Sequence, residues 1–111
     1  MEFKINTDKK VIVFYLEGGI DIIRASKMEK EFDAIYNQYK GYNILFNLSK
    51  SGLISSSGFG IMINYQRKRS ANGIKVVVSN LSKENNRILG LMGVEGLIEV
   101  FSDESDFIEL A

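Results

Sequence analysis

The chain has 111 residues, 45% of them hydrophobic and 25% charged, which fits one domain with its own core. Fourteen basic and fourteen acidic residues cancel, which argues against a nucleic-acid partner, and the lack of His and Cys removes disulfides, thiol nucleophiles, Ser-His-Asp sites and the common transition-metal ligands. No apolar run is long enough to span a bilayer and the N-terminus has no apolar signal region, so a cytoplasmic protein with no membrane insertion, metal or cofactor is expected.

Residues 3–6 alternate apolar and polar side chains and predict an edge strand. Residues 10–16 (KVIVFYL) are β-branched and aromatic and predict a more buried strand, broken by Glu17-Gly18-Gly19. Asp21 suits the cap of the next helix, because its carboxylate can accept from the free N–H groups of the first turn. Ala25, Met28, Phe32, Ile35, Tyr36 and Tyr39 share one face of that helix, and Gly41 suits its C-terminal end. Residues 43–48 (NILFNL) predict another buried strand, followed by a polar, Ser-rich loop over residues 49–57.

Phe59, Met62 and Ile63 begin a helical stripe that runs to about Ala71, with Arg67, Lys68 and Arg69 in the last turn, where cations suit the helix dipole. Asn72-Gly73 closes it, and residues 74–78 (IKVVV) predict a strand. Ser82 caps a helix carrying Ile88, Leu89, Leu91 and Met92 and ending at Gly93. Residues 97–101 (LIEVF) predict a last short strand. Ser102 then opens a C-terminal helix with Asp103, Glu104 and Asp106 in its first turn. About five strands and four helices alternate without linker or repeat, which predicts a single α/β domain over residues 1–111 with a mixed sheet.

One segment departs from routine patterning. Ser55-Ser56-Ser57-Gly58-Phe59-Gly60 runs three serines into a helix whose first turn holds two glycines. A glycine inside a helix costs about 1 kcal/mol against alanine, so two together need a reason. One reason is access, since no side chain obstructs a partner approaching the free N–H groups. The other is close packing of helix on sheet behind an ordinary serine cap. The residues alone leave both open.

Residues 44–60 (ILFNLSKSGLISSSGFG) resemble the central signature of STAS domains, typified by bacterial anti-sigma-factor antagonists. That signature is a strand ending in Asp-Leu-Ser, a short loop, then Asp-Ser-Ser-Gly opening a helix. Asn47-Leu48-Ser49 and Ser55-Ser56-Ser57-Gly58 match it, with Asn47 and Ser55 standing where the family usually has Asp. The likeness extends along the chain: residues 16–21 (LEGGID), 70–74 (SANGI) and 88–97 (ILGLMGVEGL) are similar to the family's other landmarks.

The resemblance implies that Ser56, or alternatively Ser57, is phosphorylated by a partner that is both anti-sigma factor and kinase, of a histidine-kinase-like ATPase fold. It implies a binding surface made of Asp21, Ser55, Ser56, Ser57, Gly58 and Gly60. The unmodified protein would bind the partner and the phosphorylated one would not. Asn47 and Ser55 would each remove a carboxylate from beside the acceptor.

Three functions compete. The first is this phospho-switched antagonist, which has no catalytic residue of its own. The second keeps the fold as an interaction module in another assembly, a signalling complex or a lipid-transport complex, without phosphorylation. The third is an enzyme using Ser56 with a lysine base such as Lys50, which needs that lysine buried.

Overall fold

The computed structural model describes residues 1–94 and 96–111. Glu95, inside the 88–97 stretch of the resemblance, lies outside the described residues. The apolar run at Val11–Tyr15 (β2, after β1 at Glu2–Asn6) is buried on both faces along most of its length. Such continuous burial is what a strand inside a parallel sheet requires. β2 pairs antiparallel with β1 and parallel with β4 (Asn43–Asn47). β4 pairs parallel with β6 (Val76–Ser79), and β6 with β7 (Glu99–Phe101). The five-stranded order is β1-β2-β4-β6-β7, a mixed sheet as expected.

Alternate side chains divide the core in two. Ile12, Phe14, Ile44, Phe46, Val76 and Val78 face α1 (Ile22–Tyr36), α2 (Ser56–Ser70) and α3 (Lys83–Leu91). Val11, Val13, Leu45 and Val77 face the other way, onto Phe107 of the short α4 (Glu104–Leu110). Phe32 of α1 joins sheet to helices: its ring centroid lies 4.9 Å from Phe14, 4.6 Å from Phe46 and 5.5 Å from Tyr65 of α2. Arg69 of α2 pairs with Asp33 of α1 at 3.0 Å and covers the Tyr36 ring at 4.5 Å.

Several boundaries differ from the sequence reading. Glu17-Gly18-Gly19 is not simply a break, because Gly18–Ile20 forms β3 and pairs parallel with β5 (Ser51–Ile54), inside the expected loop. Glycines make this pairing tight: a Cβ on Gly52 would meet the Gly19 nitrogen at 3.1 Å. α1 ends at Tyr36 with Asn37 as its C-cap, short of Tyr39 and Gly41. Leu91, expected in the apolar stripe of α3, is 75% exposed. α4 is capped by Asp103 and not Ser102, through a capping box in which Asp106 reaches back to the Asp103 N–H.

Candidate functional site

The turn from β5 into α2 is fixed from both sides. The Ser55 N–H donates to the Ile20 carbonyl at 2.9 Å, which ties the turn to the end of β3. Ser55 is the N-cap, its Oγ accepting from the Gly58 N–H at 3.0 Å. The Ser57 hydroxyl lies 3.2 Å from the same Oγ. Ser56, the first residue of α2, is exposed, and its hydroxyl is bonded to nothing among the described residues. The serine cap expected at this helix start is therefore Ser55.

The two glycines of α2 are there for different reasons. A Cβ on Gly58 would meet the Ile20 carbonyl at 2.8 Å, so Gly58 answers to close packing. Gly60 has nothing within 4 Å of such a Cβ, and the access reading stays with it alone. The first turn of α2 holds no acidic residue, so no charge from that turn itself offsets its positive dipole end.

Asp21 is the N-cap of α1, accepting from the Arg24 N–H at 2.8 Å. It also borders, with Ser55, an open hollow of ≈ 540 Å³ whose walls include Arg24, Leu53 and Ile88. Leu53 is 63% exposed, and Ile22 and Ile23 beside Asp21 are 50% and 65% exposed. The surface around the serine run is thus apolar, with one acid and one guanidinium. Asp21 and Ser55 meet at this hollow, while Ser56, Ser57, Gly58 and Gly60 continue from it along α2.

Two expected neighbours of Ser56 lie elsewhere. Asn47 points to the α4 face of the sheet, where it donates to Glu104 at 2.9 Å and accepts from the Ser49 N–H at 2.9 Å. An aspartate there would confront Glu104, so Asn47 is matched to α4 and not to the serine run. Burial pushes the Glu104 carboxyl up, yet hydrogen bonds from Asn47, Tyr15 and Lys4 outweigh it and hold the group below its usual value. Lys50 is exposed and pairs with Glu2 at 3.1 Å, so it is not the buried base that a serine–lysine enzyme needs.

Asn85 went unnoticed in the sequence. It is 0% exposed, and its amide accepts from the Ile54 N–H at 2.9 Å and donates to the Gly52 carbonyl at 2.9 Å and the Ser51 hydroxyl at 3.4 Å. The signal was present: Asn85 stands one helical turn before buried Leu89, a polar residue on an apolar face. Among the described residues no group of three or more His, Cys, Asp or Glu side chains is placed to hold a metal ion. Among them, too, no helix is long and apolar enough to cross a membrane.

A mixed sheet flanked by helices, with an exposed serine at a glycine-bearing helix start and an apolar hollow beside it, defines a small α/β domain whose candidate site is an open surface. The STAS domain profile matches residues 2–107, and the chain belongs to the STAS family. No curated protein matches it by sequence. Among solved structures, it is similar to the Thermotoga maritima protein TM1081, assigned as an anti-sigma factor antagonist, with a TM-score of 0.84 at 23% identity over 98% of this chain and 92% of that one. It is also similar to the anti-sigma factor antagonist SpoIIAA in its unphosphorylated form, with a TM-score of 0.72 at 16% identity, covering 98% of this chain and 94% of that one. The phosphorylated form of Bacillus SpoIIAA gives a TM-score of 0.68 at 16% identity, covering 99% of this chain and 100% of that one. A sulfate transporter family protein from Wolinella succinogenes gives 0.75 at 17% identity, covering 96% and 89% of the two chains. At these identities the likeness carries the fold, which antagonists and a transporter-family protein share.

Proposed function

We propose that this protein is an anti-sigma-factor antagonist that binds an anti-sigma factor through the surface around Ser56 and is released when Ser56 is phosphorylated. The observation that carries this reading is the division of labour among the serines. Ser55 is held as the cap and Ser57 bonds to it, while Ser56 is exposed and its hydroxyl has no bond among the described residues. This favours Ser56 over Ser57 as the acceptor. A phosphate there adds about −1.5 to −2 charges at neutral pH. The N-terminus of α2 accommodates that charge, but an apolar partner face closed over Leu53 and Ile88 would have to desolvate it. The partner is an anti-sigma factor of histidine-kinase-like fold that also supplies the phosphate. The protein itself is a cytoplasmic binding module without catalytic residues or cofactor.

The likeness to a sulfate transporter family protein favours a second reading, an interaction module of another assembly in which Ser56 is never modified. One experiment separates the two. Purified histidine-kinase-like ATPases are incubated with the protein and ATP, and any phosphate is located by mass spectrometry. Titrations of wild type, Ser56→Ala and Ser56→Asp against the same ATPases run alongside. Phosphate on Ser56, retained binding by Ser56→Ala and an affinity at least about tenfold weaker for Ser56→Asp are expected; tenfold needs only about 1.4 kcal/mol. Equal binding by all three removes Ser56 from the interface.

A further inference from the structure

β5 is a short strand with β3 on one side and no strand on the other. A bare edge of this kind leaves backbone donors and acceptors unsatisfied. Here the side chain of Asn85 takes the place of a third strand. Its oxygen receives the Ile54 N–H and its nitrogen serves the Gly52 carbonyl, both at 2.9 Å, so one planar amide reproduces the donor–acceptor pair of a ladder rung. At neutral pH an amide of this length fits the pattern. A leucine offers neither group, and an aspartate at neutral pH offers the acceptor without the donor. Asn85 is itself anchored, its N–H bonded to the Ser82 cap at 3.1 Å.

The bonded segment ends where the functional surface begins. Ile54 is followed directly by the cap Ser55. Leu53, between the two bonded residues, lines the hollow opposite Ile88, which lies one turn beyond Asn85 on α3. We propose that Asn85 is a positioning residue for the Ser56 surface: it locks β5 to α3, and so sets where Leu53 and residues 55–57 stand relative to Ile88. What that surface is for rests on the function proposed above; the positioning itself does not. No charged side chain bonds to Asn85, and its helix neighbours Glu84 and Arg87 pair with each other at the surface.

The test uses the full chain, labelled with nitrogen-15, as wild type, Asn85→Leu and Asn85→Asp. Amide exchange protection and chemical shifts are measured at pH 7.5 and pH 5. In Asn85→Leu the protection of the Ile54 N–H should fall about tenfold or more, with shift changes over residues 51–58, while β2 and β4 keep wild-type protection. Asn85→Asp keeps an acceptor for the Ile54 N–H, but at pH 7.5 its carboxylate faces the Gly52 carbonyl without a donor, so shift changes over residues 51–58 should appear at pH 7.5 and fade at pH 5. Burial raises a carboxyl pKa, and the neutral acid can both accept and donate. Wild type has no titrating group at this position and should keep one pattern at both values.

In Asn85→Leu a general loss of stability would lower protection in β2 and β4 as much as at Ile54, and that result, or an unaffected Ile54, overturns the proposal. If Asn85→Leu fails to fold, the pH comparison within Asn85→Asp decides by itself. Where a histidine-kinase-like ATPase binds wild type, Asn85→Leu should bind it at least about tenfold more weakly. Equal affinity despite the local changes also overturns the positioning role. Failure of every such ATPase to bind wild type counts against the partner reading alone, and exchange still decides on Asn85.

Discussion

Of three consecutive serines, Ser55 works for the fold through its hydroxyl, while that of Ser56 has no bond among the described residues. Ser55→Ala removes the N-cap and should cost about 0.5–2 kcal/mol, whereas Ser56→Ala should fall within about 0.5 kcal/mol of wild type. Thermal melts of the two variants check this, and equal losses would mean the cap has been misplaced. The glycines should separate in the same way. Gly58→Ala drives a methyl into the Ile20 carbonyl and should cost about 1–3 kcal/mol. Gly60→Ala meets open space and should gain up to about 1 kcal/mol from helix propensity. Denaturant titrations of both would settle the assignment; a stable Gly58→Ala would sink it. The serine run and the glycines stand out in the sequence as a candidate site, but which of them caps the helix and which packs against β3 does not. That depended on the Ile20 carbonyl, which lies more than thirty residues away in the chain.

At the scale of elements, the strands that could be read were those whose cause is local. β2, β4 and β6 are apolar runs because both their faces are covered, and their burial follows directly from composition. β3 and β5 have no such signature. They are short, glycine-bearing, and exist because two distant segments approach closely enough to pair, which composition does not encode. The polar fastening of α4 was equally hidden, since Lys4, Asn47 and Asn80 come from three different strands or strand ends.

That fastening predicts a pH response. Hydrogen bonds from Asn80 and Ser105 bring the Asp103 carboxyl from its ordinary 3.8 down to about 2, and Glu104 is also lowered. Carboxyls depressed in the fold stabilise it above their unfolded pKa and lose that effect as pH falls through the folded one. α4 should therefore loosen between about pH 4 and pH 2, ahead of the central strands. Amide exchange of the Phe107 region against β2 across that range is the check. Simultaneous loss of both would show that α4 is no separate unit.

For the whole molecule, one side chain holds the layers together. Phe32 packs on two strands through Phe14 and Phe46 and on α2 through Tyr65, so Phe32→Ala should cost about 3–5 kcal/mol in global unfolding. A urea titration measures it. A loss near that of Ser55→Ala would mean the core is centred elsewhere.

The hydroxyl that closes α2 belongs to Ser55 and not to Ser56, and this bears on how long each form of the protein would persist in a cell. Degradation follows the population of opened chains, which is set by folding stability. A phosphate added at the first residue of α2 would meet the positive end of the helix dipole, which favours negative charge by about 0.3–1 kcal/mol, so it would not enlarge that population. The phosphorylated form would then persist at least as long as the unmodified one, so a message written at Ser56 would be carried by surface chemistry and erased by removing the phosphate, not by faster turnover of the modified form.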